Sequence, residues 1–449
     1  MARQNLENEE LGGVIRAKIN DNFSELYQAV DDINFESSVK PTLSSDFGSN
    51  EHKLYEQYGL EPKTITQMYD VVRASTATYV DATGKIRTAG VNEPRVDYSS
   101  GQGRLLVEEA RTNLLTWSED FSNSAWVKTN GLIVDPTSIQ GTVDGTTFFE
   151  IIDDSDTLDK NLRRVQTIPT NSLGVTQWAI FKKGASDRIG VRSALTGGTA
   201  IFGSMDYEFS TDTIYNNSPL TGFRVKLSTD VVLFGCTVFN NGTNTTADVR
   251  FYPRSSFSST NTGSVYINAA QLEQAPTPSS YIPTEASAVT RAADNVSREL
   301  GDEFNKGEFT VYIHHRQNLA TTPIGTRRGV MSINTTAIEE GSWVLTKDQN
   351  TSELKCRFRS GGWSDNTLTP PVLDNPFKFC ASFGATSVSY FLNGVFQSSR
   401  TYPSGFSKDN LIEVFVGREK LFVGNGLTED FRIYPKVLSE SECINLTKV

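Results

Sequence analysis

Histidine and cysteine are scarce: the 449-residue chain has 3 histidines and 4 cysteines. Zinc sites need several such ligands at short spacing, as in C-x-x-C pairs. Here the cysteines are far apart and form no such pair; they are Cys236, Cys356, Cys380 and Cys443. The sequence therefore predicts neither a zinc centre nor a cofactor. We expect the thiols to serve as small buried apolar side chains, while a disulfide between Cys356 and Cys380 in neighbouring strands stays open.

Long apolar runs and runs of basic residues are also lacking. No stretch approaches the about 18 consecutive apolar residues of a membrane-spanning helix, and residues 1–10 lack the apolar core of a secretory signal. The 42 lysines and arginines are outnumbered by 53 aspartates and glutamates, for a net charge of −11, and they are evenly mixed along the chain. We therefore expect no membrane insertion, no nucleic-acid partner, and synthesis in a cytoplasm.

The catalytic motifs that can be recognised in a sequence are absent as well. The chain has no nucleophile elbow, no phosphate-binding loop and no cluster of metal ligands. His314 and His315 are neighbours on a predicted strand, so their side chains point to opposite faces. The sequence predicts that the protein is not an enzyme. A pair of carboxylates that cleaves glycosidic bonds stays open as an alternative, because the separation of such a pair depends on the fold.

Residues 1–35 are predicted to form a helix with one apolar stripe. From Ile19 onward, apolar residues recur at alternating spacings of four and three, which is the heptad pattern of a coiled coil. The stripe consists of Ile19, Phe23, Leu26, Val30 and Ile33. Its bulky and β-branched residues favour a homotrimer, although so short a seam needs help from neighbouring segments. A lone amphipathic helix packed on its own domain is the alternative.

The remainder of the chain is predicted to be mainly β. Short alternating apolar runs separated by polar turns fill two regions, each with enough strands for a β-sandwich or jelly roll. The predicted units are a linker with a small β region at 36–111, a jelly roll at 112–284, a linker at 285–307 and a sandwich at 308–449. The predicted fold is thus a short N-terminal coiled-coil helix followed by two β-sandwich domains.

Aromatic side chains are the strongest candidates for a ligand-binding site. Trp117, Phe121 and Trp126 lie within ten residues, beside Asn, Ser and Asp. Such rings either plug the open end of a sandwich, which we favour, or form a platform for sugar rings. Trp363 follows two glycines in the polar loop Ser360–Asn366, a position that core packing does not explain. Trp363 is therefore the first choice for a glycan contact, with Trp117 and Trp126 as further candidates.

One loop gathers carboxylates that suit a calcium ion. Asp153, Asp154, Asp156 and Asp159 lie within seven residues. The loop lacks the glycine and the distal glutamate of an EF-hand, so a solvated acidic turn is the favoured interpretation. Structural calcium on Asp154, Asp156 and Asp159 is the alternative.

The stretch from Glu109 to Trp126 is the most distinctive part of the chain. It reads Glu-Ala-Arg-Thr-Asn-Leu-Leu-Thr-Trp-Ser-Glu-Asp-Phe-Ser-Asn-Ser-Ala-Trp, with Arg73–Arg95 upstream and Ser280–Thr284 and Val289–Asp294 downstream. In amino-acid sequence and in their order along the chain, these blocks resemble segments of fibre and spike proteins of tailed bacteriophages, over about half of the chain. The resemblance implies a trimeric virion protein whose N-terminal end faces the particle.

Two further resemblances concern the sandwiches. Trp178–Lys183 and Val265–Glu273 resemble inner and closing strands of the jelly rolls of carbohydrate-binding modules. Tyr390–Phe396 and the ending Glu429–Glu442 resemble a laminin-G or concanavalin-like sandwich, in which a short helix follows the last strand, here with Ser439 and Glu442 as a capping box. Neither resemblance determines a ligand, because one fold hosts many functions.

Together these observations predict a structural bacteriophage protein, a head or tail fibre or spike, that is assembled in the host cytoplasm. Its N-terminus is expected to bind other virion proteins of the portal, adaptor, tail or capsid, and its sandwiches to bind host-surface glycans. A ligand-free capsid or tail decoration protein is the alternative. A capsule-degrading glycosidase or lyase is less favoured, because such fibres often carry long β-helical repeats and no such period is visible.

Overall fold

A computed structural model describes the greater part of the chain. The described residues are 40–56, 59–171, 173–217, 219–257, 262–301, 303–317, 328–335, 341–347, 353–359, 363–368, 376–418 and 426–449. The predicted N-terminal helix and its stripe lie outside this set; the stripe residues are Ile19, Phe23, Leu26, Val30 and Ile33. Among the helices in these ranges, none is long and apolar enough to cross a membrane.

A central sandwich is formed by residues 127–273. Across its first sheet, which we call the front sheet, the described strands are Val127–Thr129, Asn161–Thr167, Thr246–Tyr252, Arg188–Thr196, Ile201–Glu208 and Thr213–Asn217. Across the second, the back sheet, they are Ile133–Gln140, Thr147–Asp153, Gly263–Glu273, Gly174–Lys182, Val231–Phe239 and Thr221–Lys226. Alternate residues point inward, and side chains such as Phe181, Phe234 and Phe251 form one apolar core between the sheets.

The two sheets differ in what covers their outer faces. The outer face of the back sheet carries Trp178 and Ile180, which pack with Tyr281 and with Ile86 of a small hairpin in a second apolar cluster. Both residues belong to the strand Gly174–Lys182. Because this strand is buried on both faces, its sequence is nearly continuously apolar and does not alternate strictly. The outer face of the front sheet instead carries charged and polar side chains, among them Arg163, which is partly exposed.

The second sandwich, which we call the composite sandwich, combines two distant parts of the chain. Across its larger sheet the described strands are Gly59–Lys63, Glu51–Glu56, Leu43–Asp46, Gly426–Tyr434, Phe309–Gln317, Phe377–Phe383, Ser387–Leu392 and Val395–Thr401, with Val96–Asp97 and Arg104–Val107 alongside. Across the smaller sheet they are Trp363–Leu368, Leu354–Arg359, Trp343–Lys347, Arg328–Asn334, Glu413–Val416, Asn295–Glu299 and Asp70–Val72. The predicted fold class, mainly β with two sandwiches, is confirmed.

The small β region predicted within 36–111 is present as the hairpin Ala77–Val80 with Ile86–Ala89, but the parts predicted as linkers contain strands of the composite sandwich. Within 36–111, Leu43–Asp46 pairs with Gly426–Tyr434 and buries Leu43 in the same core as Phe431. Within 285–307, Asn295–Glu299 pairs with Asp70–Val72 on one side and with Glu413–Val416 on the other. These segments are too short and polar to be recognised as strands from the sequence. They become strands because partners far along the chain pair with them and bury them.

Two small sheets and three helical segments complete the described structure. The hairpin Ala77–Val80 with Ile86–Ala89 and the pair Arg111–Asn113 with Val289–Arg291 lie between the sandwiches. The helical segments are Ile65–Met68, the 3₁₀ turn Lys408–Asn410 and Glu440–Thr447. The predicted capping box is confirmed: Ser439 Oγ accepts from the backbone amide of Glu442 at 3.3 Å, and Glu442 Oε2 accepts from the amide of Ser439 at 2.7 Å.

The four cysteines are buried and free. Cys356 lies in the smaller sheet of the composite sandwich and Cys380 in the larger one, so a disulfide between neighbouring strands is wrong for this pair. Cys380 Sγ lies 3.5 Å from Cys443 Sγ instead. Burial raises the pKa of Cys236 to about 12 and raises that of Cys356 and Cys380 as well. The thiols of Cys236, Cys356 and Cys380 are therefore protonated and behave as the small apolar side chains that the sequence predicts.

The composite sandwich leads to a first prediction about proteolysis. Among the described residues, we expect subtilisin to cut the folded chain within 285–288, which are exposed, and to spare Asn295–Glu299, which is hydrogen-bonded on both sides. The two fragments should elute together in size-exclusion chromatography and separate only in urea, because each contributes strands to the composite sandwich. Separation without denaturant would contradict this architecture.

Candidate functional site

Five charged residues meet where the two sandwiches join, and we call them the junction cluster. They are Arg73, Arg95, Glu108, Arg291 and Asp294, each at most 2% exposed. Asp294 Oδ1 accepts from Arg73 Nη1 at 2.9 Å, and Asp294 Oδ2 pairs with Arg95 Nη2. Arg95 Nη1 also donates to Glu108 Oε2 at 2.9 Å. Buried charges are tolerated when they are paired and hydrogen-bonded in this way.

Further hydrogen bonds link the junction cluster to neighbouring backbone groups and to a side chain of the composite sandwich. Glu108 Oε1 accepts from the amide of Ser280 at 2.8 Å, and Arg291 Nη2 donates to the carbonyl of Glu109 at 2.7 Å. Arg418 Nη1, from the composite sandwich, donates to the carbonyl of Asp294 at 3.0 Å. Burial alone would raise the pKa of Glu108, but the charges of Arg291 and Arg95 and the bonds from Ser280 outweigh it and lower this pKa to about 2.

The junction cluster explains the distinctive sequence blocks. Its members come from Arg73–Arg95, from the strand that leads into Glu109–Trp126, and from Val289–Asp294, with Ser280 as a hydrogen-bond partner. All five side chains are buried and their charged groups are paired with one another; Glu108 also lines a cavity of about 120 Å³ and Arg291 one of about 190 Å³. These blocks therefore act as a structural joint between the two sandwiches.

Trp126 is buried, so its assignment as a glycan contact is wrong. The side chain is 1% exposed, and its ring packs on Phe121 and Phe251 at centroid distances of 5.2 and 6.2 Å. Its Nε1 donates to the carbonyl of Trp117 at 2.9 Å, which satisfies the polar atom inside the core. For Phe121 and Trp126 the favoured interpretation, a plug at the end of the sandwich, is confirmed.

Trp117 has a different environment, because it is partly exposed and lines an open groove of about 470 Å³. We call this the Trp117 groove. It is lined by Trp117, Glu119, Asp120, Gly145, Thr146, Thr147, Phe149, Thr284 and Glu285. Its volume falls in the range of about 300 to 1,000 Å³ that is usual for small-ligand sites. The sequence signal for the lining beyond Trp117 is weak, since the 145–149 and 284–285 segments are distant from it along the chain.

The backbone of Trp117 is held in an unusual conformation. Its φ of 56° lies in the left-handed region, which a bulky residue rarely adopts and which costs about 1 to 3 kcal/mol. Hydrogen bonds hold the residue on both sides: its amide donates to the carbonyl of Glu285 at 2.7 Å, and its carbonyl accepts from Trp126 Nε1. The next residue, Ser118, donates to the carbonyl of Thr284 at 3.1 Å through its amide. These bonds hold the backbone of Trp117 in its left-handed conformation.

The groove combines one aromatic ring with acidic acceptors. Burial raises the pKa of Glu119, and the charge of Glu285 adds to this, while a hydrogen bond with Tyr281 opposes it. Asp120 is engaged in its own turn, where its Oδ1 accepts from the amides of Ser122 and Asn123 at 3.1 and 3.2 Å. The hydroxyls of Thr146 and Thr284 donate to the carbonyls of Val143 and Leu115 at 2.7 and 2.6 Å, so the carboxyl groups of Glu119 and Glu285 and the hydroxyl of Thr147 are the groups left for a ligand. A ring beside such acceptors suits a saccharide that is neutral or cationic.

Trp363 lies at the start of the strand Trp363–Leu368, so its predicted position in a loop is wrong. The strand forms through backbone pairing of Trp363 with Arg359, and it is the last strand at one edge of the smaller composite sheet. The structure does not bring Trp363 to the Trp117 groove, which belongs to the other sandwich.

The acidic loop pairs with cations of the protein itself. Asp153 Oδ2 and Asp159 Oδ1 lie 2.6 and 3.2 Å from nitrogens of Arg254, and Asp154 Oδ1 lies 2.5 Å from Lys160 Nζ. Within the described ranges, no group of three or more His, Cys, Asp and Glu side chains is arranged to hold a metal ion. The calcium alternative on Asp154, Asp156 and Asp159 is therefore wrong for this geometry, because two of the carboxylates already have partners.

Comparisons with known proteins give structural neighbours but no family. No protein-family profile and no curated protein sequence matches the chain. The CBM40 domain of the Ruminococcus gnavus IT-sialidase, bound to α2,3-sialyllactose, is similar at a TM-score of 0.27 and 15% identity, over 32% of this chain and 85% of that chain. Domain 4 of AbnA, a GH43 extracellular arabinanase from Geobacillus stearothermophilus in complex with arabinotriose, has a TM-score of 0.28 and 15% identity, over 38% and 81%. The botulinum neurotoxin serotype D binding domain has a TM-score of 0.28 and 14% identity, over 34% of this chain and 39% of that chain. At TM-scores this low, the likenesses carry no conclusion about fold or function.

Proposed function

We propose that the protein is a non-enzymatic adhesion protein that binds host-surface glycans through the Trp117 groove. The observation that carries this proposal is the strained, hydrogen-bonded backbone of Trp117, which holds a partly exposed ring against a groove lined by carboxylates and hydroxyls. Backbone strain of this kind is concentrated at functional sites. The carboxylates accept hydrogen bonds from sugar hydroxyls, and the ring covers the apolar face of one sugar.

The wider setting that we propose is a bacteriophage fibre or spike. The support is the resemblance of the blocks around Glu109–Trp126 to such proteins, together with the heptad stripe from Ile19 to Ile33. In this proposal the N-terminal helices join three copies and attach them to other virion proteins, and the sandwiches face the host. A decoration protein without a ligand remains the alternative, and it predicts no glycan binding by the intact protein.

A specific observation favours glycosidase activity as a second candidate function. Glu119 and Glu285 line the same groove, and the pKa of Glu119 is raised by burial and by the charge of Glu285. Glycosidases use two carboxyl groups on either side of the scissile bond, one of which has a raised pKa. Release of new reducing ends from a bound oligosaccharide, lost in Glu119→Gln, would establish this function in place of adhesion.

Trp117→Ala tests the adhesion proposal. We expect the intact protein to bind neutral oligosaccharides on a glycan array, and Trp117→Ala to weaken the best of these interactions about 10-fold or more in isothermal titration calorimetry. Trp117→Phe keeps an aromatic ring and should retain most of the affinity.

Trp363→Ala provides the matched control in the composite sandwich. If Trp363→Ala lowers the affinity and Trp117→Ala does not, the glycan site lies on the composite sandwich and the Trp117 groove is the wrong assignment. If the intact protein binds no glycan from the array, the decoration alternative replaces adhesion.

A further inference from the structure

Three arginines form one cross-strand row on the outer face of the front sheet. Arg250 lies directly opposite Arg163 on one neighbouring strand and directly opposite Arg192 on the other. We call these three residues the arginine row. Like charges that face each other across adjacent strands destabilise a sheet, so the stability of the fold does not explain the row. Departures from local rules of this kind are expected at functional sites.

One carboxylate, Asp248, neutralises part of the arginine row. Asp248 Oδ1 accepts from Arg163 Nε at 2.9 Å and from Arg250 Nε at 3.2 Å, and Asp248 Oδ2 accepts from Arg163 Nη2 at 2.9 Å and from Arg250 Nη2 at 2.7 Å. Burial alone would raise the pKa of Asp248, but the hydrogen bonds from Arg250 and Arg163 outweigh it and keep this pKa below its ordinary value. Two arginines thus share one charged aspartate.

Arg192 has no carboxylate partner among the residues that the structure describes. Its guanidinium carbon lies 5.9 Å from the ring centroid of Phe202. Phe202 is 61% exposed, more than any other large aromatic side chain that the structure describes. It lies opposite Ala194, on the strand next to the one that carries Arg192. Val165, 49% exposed, faces Asp248 at the other side of the row. The open face therefore combines excess positive charge with exposed apolar surface.

We propose that the arginine row and Phe202 form a binding site for an acidic saccharide, in which a sugar carboxylate binds Arg192 and the sugar ring packs on Phe202. The planar guanidinium group matches a carboxylate in a two-pronged geometry, and an aromatic ring matches the apolar face of a sugar. This site is separate from the Trp117 groove, whose carboxylates repel an acidic ligand. It goes beyond the proposed function, since it assigns a second ligand class to the outer face of the front sheet.

Charge also limits what can bind there. The whole chain carries a net charge of −11, so long-range attraction does not concentrate polyanions at this face. Binding has to come from short-range contacts with a carboxylate of matching geometry. A nucleic acid, by contrast, is held mainly by summed phosphate contacts that weaken steeply with salt.

The test is calorimetric titration of the full chain with two uronate probes, trigalacturonate and trimannuronate. We expect at least one of them to bind, its methyl ester not to bind, and Arg192→Gln to weaken binding about 10- to 100-fold. The control is Arg224→Gln, which removes an exposed arginine of the back sheet that pairs with Asp212. This control and Trp117→Ala should leave uronate binding unchanged.

Several outcomes would overturn the proposal. If neither uronate binds, or if Arg192→Gln and Arg224→Gln weaken binding equally, the arginine row is not the site. If inorganic phosphate or a single-stranded oligonucleotide binds as tightly as the uronate and is equally sensitive to Arg192→Gln, the face is a general anion site. If Trp117→Ala abolishes uronate binding, one groove serves both ligands. Because Arg192→Gln is expected to leave neutral-glycan binding intact, failure here is distinguishable from failure of the proposed function.

Discussion

Asp294→Asn is expected to lower the free energy of unfolding by about 3 to 5 kcal/mol, the usual cost of removing one partner of a buried ion pair. The change leaves Arg73, Arg95 and Arg291 buried with Glu108 as the only carboxylate of the junction cluster. Isolated buried charges are far more costly than paired ones, because the protein interior solvates them poorly.

Urea unfolding at pH 7, followed by fluorescence and circular dichroism, measures this loss. The matched control is Asp212→Asn, which removes the partner of Arg224 from a partly exposed pair and should change stability by less than about 1 kcal/mol. Because the junction cluster joins both sandwiches, the urea midpoints measured by fluorescence and by circular dichroism should fall together. An Asp294→Asn protein as stable as the control would show that the cluster does not hold the sandwiches together.

Acid is expected to destabilise the protein by titrating Glu108, with a loss of about 3 kcal/mol between pH 5 and pH 2. The pKa of Glu108 is about 2 in the folded protein and 4.5 ordinarily, so its contribution is complete above the ordinary value and is lost as the pH falls toward 2. Protonation removes the charge that pairs with Arg95 and Arg291. Asp97 and Glu273, whose pKa values burial raises, act in the opposite direction.

Comparison of wild type with Glu108→Gln isolates this carboxylate from the others. Glu108→Gln should be less stable than wild type at pH 6, and the difference should shrink toward zero as the pH approaches 2. Urea midpoints measured between pH 6 and pH 3 give the difference directly. A gap that stays constant over this range would mean that Glu108 keeps an ordinary pKa in the folded protein.

The location of the distinctive blocks changes what the resemblance to phage fibres implies. These blocks supply the junction cluster, so the resemblance concerns how two sandwiches are joined more than what they bind. Trp117 is an exception, since it lies in the same stretch and faces a groove. Glu119, Asp120 and Thr284 of the groove also belong to these blocks, whereas the arginine row and Phe202 lie outside them, on the front sheet.

The sequence by itself determined the secondary structure of much of the chain. Short apolar runs between polar turns predicted the two strand-rich regions, and the capping box of Ser439 and Glu442 predicted the start of the helix Glu440–Thr447. Such signals are local, because the two-residue period of a strand and the spacing of a cap depend on neighbouring residues only. The residue type itself predicted that the thiols of Cys236, Cys356, Cys380 and Cys443 are buried, which the structure confirms.

Only the tertiary structure decided which segments meet. Leu43–Asp46 becomes a strand because Gly426–Tyr434 offers it a partner. Arg73 is tolerated in the interior because it pairs with Asp294, which follows the whole central sandwich in the sequence. Trp117 and Trp126 share one motif, yet one ring faces a groove and the other lies in the core. A strand's period tells which residues share a face but not what covers that face, and burial and charge pairing depend on the covering partner.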